Sequence, residues 1–128
     1  MSVQDTVWQG AELTQAFLEG VRGAIPLATE QIDIMLRLVR AAKPTVNTIL
    51  DLGCGDGILG HALLDKHPEA TAVFVDFSPP MLAAARHRLA HTNRATFLQL
   101  DYSQPGWIDK LIINNSQFTI HNSVDVIV

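Results

Sequence analysis

Three aspartates, Asp51, Asp76 and Asp101, each close a short apolar run, and Gly53-Cys54-Gly55-Asp56-Gly57 lies between the first two. Carboxylates in such positions can hold a cationic group or accept from a pair of hydroxyls. Charge-assisted bonds of that kind contribute roughly 1.5–3 kcal/mol each. Alternate glycines let the backbone approach a ligand closely, because no Cβ stands in the way. A helix that opens there aims its free N–H groups at the same place. Asp51 and Asp56 flank the turn, which suits a cationic ligand better than a doubly anionic pyrophosphate. Asp76 comes about 20 residues after the glycines, the spacing at which an acid meets the hydroxyl pair of a ribose. A single strand-end acid is explained by turn and cap preferences. Three at equivalent positions of a parallel sheet would all face one crevice.

Other reactive side chains carry less. His87 and His91 stand four apart on a predicted helix, a spacing that can bind metal, but without a third ligand they read as a solvated face, so no metal is expected. His61, His67 and His121 are isolated. No serine occupies a nucleophile motif. Cys54, the single cysteine, sits between two glycines and reads as a small space-filler. Trp8 and Trp107 could close over the crevice or simply pack.

The elements that must position these residues are set by periodicity. Leu13, Phe17, Val21 and Ile25 form a helical stripe ending near Ala24. Thr29 is the expected N-cap of a second helix with Ile32, Leu36 and Val39 on one face, widened by Met35 and Leu38, and Lys43-Pro44 closes it near Ala42. A strand over Val46 to Leu52 passes through the glycines into a helix from about Gly57 to Lys66. Ala72 to Asp76 is a buried parallel strand by pattern. Ser78 caps the next helix, with proline at its first position, and that helix runs to about Ala90. Ala95 to Leu100 is a third strand. A short helix is expected within 105–112, turn composition at Asn114-Asn115-Ser116, and a fourth strand over Val124 to Val128. Alternating strands and helices imply an α/β, Rossmann-like, doubly wound parallel sheet, preceded by two N-terminal helices, with ligands at the carboxyl ends of the strands. The organisation expected is an N-terminal helical segment over 1–45 and a cofactor-binding domain over 46–128.

At 128 residues, 48% hydrophobic and 17% charged, the chain is globular and one domain in length. Its net charge of −4 comes without a basic patch, so neither nucleic acid nor an anionic membrane is indicated. No apolar run reaches the roughly 18 residues of a spanning helix. The N-terminus lacks a signal-peptide layout, and a lone cysteine fits a reducing compartment. The expected location is the cytoplasm.

Ile49-Leu50-Asp51-Leu52-Gly53-Cys54-Gly55-Asp56-Gly57 resembles the glycine-rich first motif of the class I S-adenosylmethionine-dependent methyltransferases, an acid two residues before G-x-G-x-G. The resemblance spans roughly residues 46–128 and implies S-adenosylmethionine as the cofactor. It implies that Asp51 holds the methionine ammonium and that Gly53, Cys54, Gly55 and Gly57 pass beneath the donor. Asp76 would take the ribose hydroxyls, Phe77 and Met81 would flank the adenine, and Asp101 would accept from its amino group with Tyr102 alongside. The helices before residue 46 would pack on the sheet or act as a lid. Such enzymes carry about seven strands, so the sheet is expected to be truncated after the fourth, leaving an apolar edge that could support a homodimer. The acceptor is expected to be a small molecule, and no catalytic base is identified. Two alternatives stand beside methyl transfer. One is a cofactor-binding or interaction fragment without catalysis. The other is a nicotinamide-dependent oxidoreductase fragment, since Gly55-Asp56-Gly57-Ile58-Leu59-Gly60 also fits G-x-G-x-x-G.

Overall fold

Four parallel strands pair in the order β3-β2-β1-β4 in a computed structural model that describes residues 9–21, 26–113 and 124–128. These are β1 (Thr48–Leu52), β2 (Thr71–Asp76), β3 (Ala95–Gln99) and β4 (Val126–Ile127). Parallel neighbours need crossover connections, and helices supply them. α3 (Ile58–Lys66) joins β1 to β2, and α4 (Pro79–Arg88) joins β2 to β3. Ahead of the sheet lie α1 (Ala11–Ala16) and α2 (Ala28–Ala42), and α5 (Trp107–Ile113) comes after β3.

The period-2 alternation of the strands sorts their side chains onto two faces. On one, Ile49, Ala72 and Phe74 pack with Leu63 and Leu64 of α3, with Leu82 and Ala85 of α4, and with Leu89 just past its end. Phe74 is fully buried, and its ring stacks on Phe97 with centroids 5.4 Å apart. On the other face, Leu50, Val73, Val75 and Leu100 meet Leu111 of α5. Burial on both faces is what the continuous apolar runs of a parallel sheet require.

Helix boundaries obey local chemistry. Ser78 caps α4 as expected, its hydroxyl accepting from the Met81 N–H at 3.4 Å, with proline in the first turn. The cap of α2 differs from expectation. Leu27, in the left-handed region at φ 59°, precedes Ala28, and Thr29 falls inside the first turn. The ladder already begins with the Gln31 N–H donating to the Leu27 carbonyl at 2.8 Å, so Leu27 holds the cap position and Thr29 is a helical residue. Met35, Leu36 and Val39 pack on the core while Leu38 is 65% exposed, so the apolar face is narrower than its periodicity predicts.

The first helix departs further. α1 passes into a π-helical segment over Phe17–Val21, and i→i+5 bonding breaks the four-residue stripe. Thr14 is buried, Phe17 and Leu18 are half-buried, and Leu13 faces outward. The expected end at Ala24, Trp8, His121 and the Asn114-Asn115-Ser116 turn lie outside the described residues.

β4 is held at its start by Asp125. That carboxylate accepts from the N–H groups of Asn47 at 2.7 Å and Thr48 at 3.1 Å, and from Lys43 Nζ at 3.1 Å. The Asn47 N–H first, and Lys43 with it, hold the Asp125 carboxyl below the usual carboxylate range. Backbone bonds from Leu52 N–H to the Val128 carbonyl and from Val128 N–H to the Leu50 carbonyl extend the pairing past the two strand residues.

Candidate functional site

The carboxyl ends of β1 and β2 open into a cleft of about 420 Å³. Asp51, Gly53, Cys54, Gly55, Asp76, Phe77, Met81 and Tyr102 line it, and so do Phe17, Ile58, Leu59 and Ser78. Gly57 and Asp101 are not among the lining residues.

The glycine turn is shaped by positive φ at Gly53 (72°), Gly55 (55°) and Gly57 (81°), a region that costs other residues roughly 1–2 kcal/mol. At Gly53 a Cβ would stand 2.9 Å from the Tyr102 hydroxyl. The missing side chain is therefore what keeps the floor of the cleft open beneath that ring. Gly60, one turn into α3, is tighter still: a Cβ there would fall 2.4 Å from the Phe74 ring and 2.9 Å from Asp51 Oδ2.

This close approach sets the first acid. Asp51 is buried, and its Oδ2 accepts from the Gly60 N–H at 2.9 Å. Asp76, also buried, accepts from the Gly55 N–H at 2.8 Å through Oδ2 and from the Ser78 N–H at 2.9 Å through Oδ1. These bonds orient both carboxylate groups at the cleft. The N–H groups of Gly53 and Cys54 both donate to the Val75 carbonyl, and Gly57 donates to Cys54. The N–H groups of Gly53, Cys54, Gly55, Gly57 and Gly60 are thus bonded to protein acceptors. A pyrophosphate would find these five amides occupied by carboxylates and carbonyls.

Asp56 corrects the sequence reading in another way. Instead of facing a ligand across the turn from Asp51, it is buried and bound to Arg88. Arg88 donates to its carboxylate at 2.8 Å and to its backbone carbonyl at 3.0 Å. A buried carboxylate needs such a partner, and the partner lies 32 residues away in sequence.

The remaining predicted residues divide. Met81 is buried, its sulfur 4.0 Å from where a Gly55 Cβ would stand. The Phe77 carbonyl accepts from the side chains of Gln9 and Gln99, each at 3.4 Å, which ties the chain before α1 to the rim. Tyr102 is 44% exposed and meets Trp107 edge-on at 6.2 Å; Trp107 itself packs beside Leu111 and does not line the cleft. Asp101 turns its carboxylate onto the next residues, accepting from the Ser103 N–H at 2.9 Å and the Ser103 hydroxyl at 2.5 Å. Those bonds hold its carboxyl below the usual range. Burial first, then the Asp51 and Asp76 charges, push the Cys54 thiol far above its ordinary value. It stays protonated, with Sγ 3.4 Å from the Gly55 carbonyl, and is no nucleophile.

The features that sequence reasoning missed are mostly tertiary. Phe17 comes to the cleft from the segment after α1, and Gly60 acts as the donor that fixes Asp51. Its only sequence signal is the last glycine of G-x-G-x-x-G.

Comparison with known proteins agrees with this fold. The chain is similar in structure to a sugar N-methyltransferase from a Streptoalloteichus species, with 24% identity and a TM-score of 0.51 over 75% of this chain and 32% of that one. It is also similar to an amino pentose methyltransferase from Micromonospora echinaspora solved with S-adenosylmethionine bound, at 27% identity and TM-score 0.52 over 64% and 33%. A third similar structure is the magnesium protoporphyrin IX methyltransferase of Synechocystis, also with S-adenosylmethionine bound, at 27% and 0.50 over 60% and 38%. The chain thus spans about a third of the length of these structures. The profile of a family described as "Methyltransferase domain" matches residues 50–128. With more than half of its residues matched, the chain belongs to this methyltransferase-domain family, the class I S-adenosylmethionine-dependent enzymes that its glycine turn resembles.

Proposed function

We propose that the cleft binds S-adenosylmethionine and that the chain is the cofactor-binding part of an enzyme that methylates a small-molecule acceptor. One observation carries this reading: two braced carboxylates, Asp51 and Asp76, face the cleft, and among the described residues no lysine or arginine lines it. Such a site attracts a cation and repels a pyrophosphate. The open floor at Gly53 fits a ligand that lies against backbone.

In this reading Asp51 holds the ammonium and Asp76 the ribose hydroxyls, while Phe77 and Met81 flank the adenine. Tyr102 stands over the turn and keeps water from one side. Asp101 would have to leave Ser103 to reach the adenine amino group, so its share of the binding is small. When bound, the donor supplies a methyl group on an already activated sulfonium. The protein's contribution is then mainly to orient it and to exclude water. No base of this chain is assigned to the acceptor.

Phe17 and the Gln9–Phe77 bond support a role for α1 as a cover of the cleft, with α2 a packing element on α3. The single buried thiol supports a reducing, cytoplasmic setting, and no helix among the described residues is long and apolar enough to cross a membrane. β4 is the last strand of the sheet order and Ile127 is 63% exposed, which supports pairing of that edge with a second copy. A monomeric sedimentation profile at high concentration would exclude such pairing. The small-molecule acceptor rests on similarity to an amino pentose methyltransferase and a magnesium protoporphyrin IX methyltransferase.

Calorimetric titration with S-adenosylhomocysteine, run beside NAD, tests the cofactor assignment. Micromolar affinity, about −8 kcal/mol, is expected for the first ligand and none for the second. Heat with NAD alone would overturn the reading. Because the chain spans about a third of the matched structures, binding without turnover would favour a cofactor-holding part that is not catalytic by itself.

A further inference from the structure

On the helical layer outside the cleft lining, three potential metal ligands come together. His61 and Asp65 stand four apart on α3, with Nε2 and Oδ2 3.6 Å from each other. His91, in the turn after α4, brings its ring centroid to 5.4 Å from that of His61 at a tilt of 54°. One ligand atom from each residue lies within 4.8 Å of the other two. We propose that His61, Asp65 and His91 form a surface site for a divalent transition metal of the zinc class, clamping α3 to the end of α4.

The chemistry favours a shared cation over the local contacts. At 3.6 Å the His61–Asp65 pair is too long for a good hydrogen bond. Two imidazoles at this separation repel if both are protonated, and as neutral rings they offer lone pairs that a single metal can accept together. Zinc bonds to imidazole nitrogen and carboxylate oxygen measure about 2.0–2.2 Å, which gives tetrahedral edges of roughly 3.3 Å. A pair at the 4.8 Å limit must therefore close by about 1.5 Å to reach that edge. Asp65 and His91 are exposed and His61 partly so, leaving rotamer freedom for that movement. Two nitrogen donors select zinc, nickel or copper over magnesium and calcium, which prefer oxygen. The fourth position is left to water.

His61 also sits one helical turn beyond the glycine loop, its N–H donating to the Gly57 carbonyl at 2.9 Å. His91 stands two residues after Leu89, which packs in the same core cluster as Leu63 and Phe74. A metal here would bridge the two helices outside the lining of the cofactor cleft. The site is independent of what the cleft binds.

The test is calorimetric and thermal-melt titration of the whole chain with zinc chloride, in the wild type and in His91→Ala, His61→Ala and His87→Ala variants. One zinc per chain with a rise in melting temperature is expected. His91→Ala and His61→Ala should weaken binding at least tenfold, while His87→Ala stays within twofold of wild type. Circular dichroism establishes that each variant is folded; should His61→Ala fail to fold, zinc-dependent shifts of the His61 and His91 imidazole resonances in the wild type replace it. No binding by the wild type, retention in His91→Ala, or zinc shifts confined to other histidines would each overturn the assignment.

Discussion

Asp76 and Asp101 occupy the same place in sequence logic, the residue closing a parallel strand, yet the structure uses them differently. Asp76 is enclosed, takes N–H groups from both Gly55 and Ser78, and faces the cleft. Asp101 folds back onto Ser103 and only organises its own turn. The register corrects the expected equivalence. Asp76 is the last residue of β2 and pairs with Gln99, whereas Asp101 lies two residues past the end of β3, so each acid meets a different segment. After β2 the chain enters a capped helix beside the glycine turn, so an acid there meets donors from two elements. After β3 it enters a loop whose serine two residues on supplies the nearest donors, as in an Asx-turn. A strand-end acid becomes a site only where a second element brings donors to fix it.

Breaking the braced half should have the largest effect. Gly60→Ala drives a methyl into the Phe74 ring and against Asp51, and overpacking of this kind costs about 2–3 kcal/mol. Thermal unfolding should show a clearly lowered midpoint together with lost S-adenosylhomocysteine affinity. An unchanged midpoint would mean that the α3–β2 contact is looser than described. Asp76→Ala comes next. It leaves the Gly55 and Ser78 N–H groups without their acceptor, and removing charge-assisted bonds worth roughly 1.5–3 kcal/mol should weaken the ligand about 10- to 100-fold by calorimetry. Asp51→Asn keeps an oxygen for Gly60 and removes only the charge, so a drop of about tenfold is expected. Equal affinity in that variant would argue against Asp51 as the ammonium partner.

The smallest effect belongs to the other half. Asp101→Asn should change affinity by less than about threefold. A loss as large as that of Asp76→Ala would show the carboxylate swinging into the cleft on binding. Its depressed carboxyl also has a pH signature. A group whose pKa is lower folded than unfolded stabilises above the unfolded value, near about 3.9, and loses that contribution as pH falls through the folded value. Chemical-shift titration of Asp101 should therefore give a midpoint below the usual carboxylate range, and Ser103→Ala should raise it.

Much of the fold was legible, because strand burial and helix capping are local. The apolar runs, Ser78-Pro79 and the glycine turn all specify their elements within a few residues. The features that escaped depend on residues far apart. Nothing near Asp56 announces that Arg88 neutralises it, and the Asp51–Gly60 bond requires knowing that α3 passes against Phe74. His61 looks isolated in sequence because His91 reaches it only once α3 and α4 lie side by side. The break in the α1 stripe is a subtler miss, since the four-residue spacing is present but a π-helical segment uses a different one.

The latch at Asp125 has a kinetic meaning. β1, β2 and β3 meet neighbours about two dozen residues away, whereas the Asp125–Asn47 bond joins positions 78 apart. Closing that loop costs entropy before any contact rewards it. The three-strand half is therefore expected to form first and β4 to dock after the rate-limiting barrier. Interactions made after the barrier slow unfolding without hastening folding. Asp125→Ala should accordingly steepen the loss of the native state, leaving the refolding arm of a chevron nearly unmoved while the unfolding arm rises. Asp125 is thus a brake on opening of the sheet.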